Sequence, residues 1–123
     1  MNTEDSPYTL VAPDYAALIG STSATPDGPM IRRIFQADGV RLIRIAFAAG
    51  QVMREHSTNA PLIVQVLAGA IEFRVAGDAI NLPAGAVLHV RPHEVHELEA
   101  VDDSQVLLIL HPRQHGENAL KRS

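Results

Sequence analysis

The sequence predicts an all-β protein, a small antiparallel barrel or jelly roll built from about eight short strands. The first observation is a series of short apolar or alternating segments from Met30 to Pro112, interrupted about every 8–12 positions by turn residues. The second is that no segment shows the pattern of a long amphipathic helix. The third is that the chain contains no Trp and no Cys, the residues on which an immunoglobulin-like sandwich is usually centred. The barrel is therefore favoured over that sandwich.

The candidate strands show either a period-two pattern or a continuous apolar run. In the segment IEFRV, Ile71, Phe73 and Val75 fall on one face, while Glu72 and Arg74 fall on the other, as expected of a strand that lies half in the core. In order, the candidate strands are MIRRIFQA, VRLIRIAFA, LIVQVLAG, AIEFRVAG, AINLPAG, AVLHVRP, VHELEAV and QVLLILHP. Short antiparallel strands leave exposed sheet edges unless they close into a barrel or a double sheet, so a closed architecture is expected.

Composition divides the chain into three parts. Residues 1–29 are rich in Ser, Thr, Pro, Asp and Gly and are interpreted as an arm over the domain, with the apolar island YAALIG forming either a helical turn or an edge strand. Residues 30–112 form the predicted barrel, and residues 113–123 form a polar tail. The segments LIVQVL and VLLIL are apolar on both faces, which indicates a second covering layer or a second subunit. A homodimer is therefore expected.

Charge and residue usage exclude several classes of function. The chain has 123 residues, a formal net charge of −4 and ten scattered Lys and Arg residues, so it lacks the basic surface of a nucleic-acid-binding protein. The absence of Cys excludes disulfides, thiolate metal sites and thiol nucleophiles. The N-terminal segment MNTEDSPYTL is acidic and polar, and no apolar run approaches about 20 residues, so no membrane partner is expected. These features predict a soluble, cytoplasmic protein.

Histidines are the main candidates for chemistry. In the predicted strand HELEA, His96 shares a face with Leu98 and Ala100, and because the apolar face must be inward, His96 is expected to point into the barrel. His93 lies in the turn PHEVH and is expected in solvent. The direction of His89 is undetermined, since both faces of its strand AVLHV are mostly apolar. A lone inward His is more often a hydrogen-bonded core residue than a ligand, so His96 alone does not establish a metal site.

Residues 31–112 resemble the cupins, a family recognised by two spaced motifs. The first motif reads G-x5-H-x-H-x3,4-E-x6-G, and Gly50, His56 and Gly69 match its opening and its close. The second reads G-x5-P-x-G-x2-H-x3-N, and Gly85 and His96 match its first Gly and its His. The resemblance implies a double-stranded β-helix, the jelly-roll barrel of small RmlC-like cupins, and it also implies a homodimer.

The same resemblance implies an incomplete metal site. In metal-binding cupins, two His and one Glu of the first motif and the His of the second hold a divalent ion inside the barrel. Transferred position by position, His56 and His96 are kept, Thr58 stands at the second His position, and Leu62 stands at the Glu position. The set therefore lacks the carboxylate of a non-haem iron oxygenase and the three protein ligands of a catalytic zinc site.

Two functions of different classes remain open, beside a purely structural role for the two histidines in a dimerising barrel. The first is binding of a small molecule in a pocket formed by His56, Thr58, Leu62 and His96, with or without a simple acid–base activity. The second is a metal-dependent dioxygenase or isomerase, in which His56 and His96 are joined by Gln65, His89 or His93 around Zn, Ni, Fe, Mn or Cu. Strand alternation places Gln65 on the face opposite to that pocket, which favours an interface hydrogen bond for its amide.

Overall fold

Two antiparallel sheets form a jelly-roll barrel, which confirms the predicted all-β class. The structure is a computed structural model that describes residues 6–20 and 23–111, apart from the side chain of residue 55. The described residues contain one helix, α1 (Tyr15–Ile19), and nine strands. The strands are β1 (Met30–Ala37), β2 (Val40–Phe47), β3 (Val52–His56), β4 (Leu62–Ala68), β5 (Ala70–Val75), β6 (Asp78–Pro83), β7 (Val87–Val90), β8 (His96–Ala100) and β9 (Ser104–Leu110).

The inner faces of both sheets contribute to a single core. The larger sheet has the order β1-β2-β9-β4-β7 and the smaller sheet the order β3-β8-β5-β6. Residues directly opposite each other on paired strands share a face, so the register shows which side chains point inward. The largest fully buried side chains are Phe73, Ile45, Ile71, Leu98, Val64, Val66 and Val106, and they come from both sheets. Burial of this apolar surface is the main force that holds the two sheets together.

Eight of the nine strands coincide with the segments predicted from the sequence, and β3 is the strand that the prediction omitted. The sequence of β3, VMREH, is largely polar and pairs irregularly with β8, because a β-bulge lies between Met53 and His56. A period-two pattern therefore does not run through it. The apolar island that was predicted as either a helical turn or an edge strand is helix α1, which begins where the Asp14 carboxylate accepts a hydrogen bond from the Ala17 N–H at 2.8 Å.

Helix α1 contacts the outer face of the larger sheet. The Tyr15 hydroxyl donates a hydrogen bond to the Leu67 carbonyl, and the Arg44 guanidinium donates one to the Leu18 carbonyl at 3.1 Å. On the outer face, Leu107 of β9 lies between its partners Arg44 and Gln65 and is only 7% exposed. The N-terminal segment of the chain thus covers part of the apolar outer face of the larger sheet. The predicted tail, residues 113–123, lies outside the described residues.

In the part of the chain that the structure describes, no helix has the length and apolar character needed to cross a lipid bilayer.

Candidate functional site

The candidate site lies at one end of the barrel, which we call the histidine end. Four connections lie at this end: the β1–β2 and β5–β6 hairpins and the loops 57–61 and 91–95, which follow β3 and β7. The two loops contact each other, because the His93 N–H donates a hydrogen bond to the Thr58 carbonyl at 2.7 Å. The first residue of β4, Leu62, is the partner of Val90, the last residue of β7. The loop that follows His56 and the loop that precedes His96 therefore contact each other at this end of the barrel.

His56 and His96 are direct neighbours across two paired strands. They are opposite each other in the register of β3 and β8, and their ring centroids are 4.4 Å apart in an edge-to-face arrangement. The bulge in β3 makes this pairing, since Met53 pairs with Leu98 and three positions of β3 then match two of β8. Without the bulge, simple alternation from Met53 would place His56 on the opposite face of the strand. The sequence-predicted pair is thus brought together by a local irregularity.

His96 is buried and has one ring nitrogen without a hydrogen-bond partner. The residue is 2% exposed and its ring stacks on Phe73, with centroids 5.4 Å apart. Its Nδ1 lies 3.0 Å from the Glu94 carbonyl oxygen, and because a carbonyl can only accept, Nδ1 carries the proton. The other nitrogen, Nε2, is buried and has no hydrogen-bond partner among residues 6–20 and 23–111. In the neutral ring, Nε2 therefore presents a lone pair without a donor.

The surroundings of His96 favour the neutral imidazole. Burial lowers the pKa of His96 below its ordinary value, the hydrogen bond to the Glu94 carbonyl opposes that effect, and the charge of nearby His56 adds to the lowering. His56 itself is exposed, and its Nδ1 lies 3.0 Å from the Arg54 carbonyl oxygen. Both rings are thus held through Nδ1 by a backbone carbonyl two residues earlier in the chain. Such contacts fix ring orientation and leave Nε2 as the nitrogen that can contact a ligand.

Thr58 and Leu62, which stand at the other two ligand positions, offer no metal ligand. The Thr58 hydroxyl donates to the Ala60 carbonyl at 2.6 Å and accepts from the Ala60 N–H at 3.3 Å, so it serves a local turn. Leu62 is 2% exposed and belongs to the apolar core between Val90 and Leu110. Thr58 therefore stabilises the loop, and Leu62 belongs to the core.

Gln65, His89 and His93 do not join the two histidines. Burial along β4 alternates so that Gln65 lies on the outer face, and His89, opposite Ile63 on β7, is exposed on that same outer face. His93 is exposed in the loop at a φ of 72°. Among residues 6–20 and 23–111 with described side chains, no three His, Cys, Asp or Glu groups are arranged to hold a metal ion. Two imidazoles without a third ligand do not fit the catalytic metal centres expected of a cupin.

Arg41 is a candidate site residue that the sequence reasoning missed. It pairs with the core residue Leu110 and therefore lies on the inner face of β2, at the histidine end. Its Nε is buried and has no hydrogen-bond partner in the part of the chain that the structure describes. Alternation in VRLIRIAF places Arg41 on one face of the strand and Arg44 on the other, so each face carries an arginine. The sequence therefore contains a signal for one inward arginine, but it does not say which of the two it is.

Comparison with solved structures places this fold among the cupins. The structure is similar to an RmlC-like cupin protein from Desulfovibrio desulfuricans, with 28% identity, 79% of this chain and 94% of that chain covered, and a TM-score of 0.73. It is similar to a cupin superfamily protein from Desulfitobacterium hafniense, with 20% identity, coverages of 89% and 93%, and a TM-score of 0.69. It is also similar to the DMSP lyase DddQ from Ruegeria pomeroyi, with 18% identity, coverages of 72% and 49%, and a TM-score of 0.66. No curated protein matches by sequence.

A family model agrees with the structural neighbours. Residues 41–115, more than half of the chain, match the family described as the AraC-like ligand binding domain. The double-stranded β-helix and the positions of Gly50, His56, Gly69 and His96 agree with that match. The resemblance to cupins is confirmed: this chain belongs to the AraC-like ligand-binding domain family, a cupin-type barrel.

Proposed function

We propose that this protein binds a small molecule at the histidine end of the barrel, with His56 and His96 as hydrogen-bonding groups rather than as the ligands of a catalytic metal. The observation that carries the proposal is the buried, unpartnered Nε2 of His96. A buried polar atom without a partner costs about 1–3 kcal/mol, and a hydroxyl or amine of a bound ligand would supply the missing donor. The family to which the chain belongs is itself described by ligand binding.

The composition of the histidine end supports a pocket for a small organic molecule. Phe73 is fully buried and stacks on His96, and the buried side chains of Leu62 and Val90 at the same end are apolar, so a ligand that reaches His96 would meet mainly apolar walls. Small-molecule sites in proteins combine such apolar walls with a few polar groups that fix the orientation of the ligand. His56 is exposed, which suits a position at the entrance.

Binding is tested by titrating isotope-labelled protein with a library of small sugars, polyols, organic acids and amides and following the backbone amide signals. Ligands are expected to shift signals of loops 57–61 and 91–95 and of the start of β8. The variant His96→Phe keeps an aromatic ring against Phe73 but removes both nitrogens, and is expected to weaken binding about tenfold. His89→Phe, at an exposed position on the outer face, is the matched control and should bind as wild type does. Shifts confined to the outer face, or no binding of any compound, would overturn the proposal.

The residues considered as further metal ligands disfavour the alternative function, a metal-dependent dioxygenase or isomerase. Thr58 is engaged with Ala60, Leu62 lies in the core, and Gln65 and His89 lie on the far face of the sheet. Untagged protein and its His56→Ala variant are therefore expected to contain far less than one equivalent of Zn, Ni, Fe, Mn or Cu by mass spectrometry. One equivalent of a metal in wild type that disappears in His56→Ala would instead support a metal centre.

A further inference from the structure

Arg41 stands apart from the other arginines that are at least partly buried. The guanidinium of Arg44 donates to the Leu18 carbonyl, and that of Arg74 contacts Glu72, Glu97 and Glu99 on the outer face of the smaller sheet. Arg41 lies on the inner face of β2, its Nε is buried, and it forms no ion pair or hydrogen bond with the part of the chain that the structure describes. A buried guanidinium nitrogen without an acceptor is strongly unfavourable, because charged donors lose more hydration than neutral ones.

The register places Arg41 at the same end of the barrel as the two histidines. Arg41 follows the β1–β2 hairpin and is the partner of Leu110. Leu110 in turn is the partner of Leu62, the residue that follows loop 57–61. That loop begins directly after His56. The inner face of one sheet thus supplies an unpaired donor, Nε of Arg41, and the inner face of the other supplies an unpaired acceptor, Nε2 of His96.

We infer that the ligand of the histidine end carries an oxyanion, held by Arg41, together with a hydroxyl group that donates to His96. This inference rests on the proposed function and specifies its ligand class. The planar fork of a guanidinium matches the oxygens of a carboxylate or a phosphate, and a hydroxyl group supplies the donor that the neutral imidazole lacks. Small hydroxy acids and phosphorylated polyols share this chemistry. A ligand of this kind would offer an acceptor to Nε of Arg41 and a donor to Nε2 of His96.

The test compares four related probes by the same titration: glycerate, glycerol 3-phosphate, glyceramide and propionate. Glyceramide removes the negative charge of glycerate, and propionate removes its hydroxyl groups. We expect at least one of the two hydroxylated anions to bind about tenfold more tightly than glyceramide, and propionate to bind more weakly than glycerate. The ratio of the affinities for glycerate and glycerol 3-phosphate distinguishes a carboxylate ligand from a phosphate ligand.

Variants assign the charge preference to Arg41. Arg41→Gln is expected to abolish the preference for the anion over glyceramide. Arg32→Gln removes the same charge from an exposed position of β1 and should keep the preference. If Arg41→Gln does not fold, as judged by circular dichroism, Arg41→Lys replaces it, and the loss of the guanidinium fork should reduce the preference at least about threefold.

The outcomes separate the ligand class from the binding function. Equal affinities of wild type for glycerate, glycerol 3-phosphate and glyceramide, or a charge preference that survives in Arg41→Gln, would overturn the assignment to Arg41 while leaving ligand binding intact. Failure of all four probes, when other library compounds bind at the histidine end, would overturn the ligand class alone. If no compound of the library binds, the proposed function fails as well.

Discussion

His96 combines a packing role with the binding role that we propose for it. Strand alternation in HELEA predicts that it points inward with Leu98 and Ala100, and all three residues are buried. Its ring fills space against Phe73, its Nδ1 is satisfied by the Glu94 carbonyl, and only Nε2 is left without a partner. A core histidine with both nitrogens satisfied would be purely structural, so the single unpartnered nitrogen is what distinguishes this residue.

The lowered pKa of His96 predicts that the protein loses stability in mild acid. Burial keeps the folded-state pKa below the ordinary value of about 6.5, so between these two values the unfolded chain binds more protons than the folded chain. The free energy of unfolding should therefore decrease as the pH falls through this window. Neighbouring His56, on the paired strand, acts in the same direction when it is charged.

Urea denaturation at about pH 7.5 and about pH 5.5 measures this effect. The free energy of unfolding of the wild type should be smaller at the lower pH. In His96→Phe, the difference in this free energy between the two pH values should be smaller than in the wild type. The control His89→Phe alters an exposed histidine and should behave as wild type does. The same pH dependence in wild type and in His96→Phe would show that another group is responsible.

At the scale of the elements, one very short connection lies at the end of the barrel opposite the histidine end. The β4–β5 connection is a single residue, Gly69, with a φ of 84°. A Cβ at this position would lie 2.3 Å from the Asp103 carbonyl oxygen and 2.3 Å from the Ser104 hydroxyl oxygen. That hydroxyl is itself fixed, because it accepts from the Ala70 N–H and donates to neighbouring carbonyls. The closing glycine of the first motif is therefore required by both backbone conformation and space.

Gly69→Ala is expected to destabilise the protein by about 3 kcal/mol, since the substitution adds steric overlap to an unfavourable φ. Gly77→Ala is the matched control, because Gly77 has a φ of 83° but nothing within 4 Å of an added Cβ. That control should lose only about 1 kcal/mol. Chemical denaturation measures the free energy of unfolding of both variants. If both lose the same stability, the structure around Gly69 adjusts to the added methyl group without a large energetic penalty.

At the scale of the whole molecule, the outer face of the larger sheet is covered unequally. Helix α1 lies near Arg44 and Leu67, whereas Val87 on β7 is 62% exposed and Ile63 on β4 is 36% exposed on the same face. The segment LIVQVL is apolar on both faces. Its outer face is covered in part by the N-terminal segment and is in part exposed to solvent. Exposed apolar side chains on adjacent strands are typical of a surface that contacts another subunit.

We expect a homodimer that buries this open part of the outer face, and light scattering at micromolar concentration measures it. Val87→Asp places a charge in the expected interface and should shift the protein towards the monomer. Val101→Asp, at a similarly exposed valine in the β8–β9 connection, should leave the dimer intact. A wild-type monomer, or a dimer that withstands Val87→Asp, would contradict this assignment of the interface.

The sequence alone determined most of the strands, because period-two alternation and continuous apolar runs reflect burial directly. It also determined that His56 and His96 are kept while Thr58 and Leu62 replace two expected ligands, since these are questions of identity and spacing. The strand β3 could not be predicted in this way, because its polar sequence and its bulge break the alternation.

Only the tertiary structure decided which groups meet at the histidine end. The pairing of His56 with His96 depends on the bulge, and the inward position of Arg41 depends on its register with Leu110, a residue far away in the chain. Alternation gives the two faces of a strand but does not say which of them is inside when both carry an arginine. Long-range strand pairing settles that question, and it leaves the donor of Arg41 and the acceptor of His96 both buried and unpaired at the same end of one barrel.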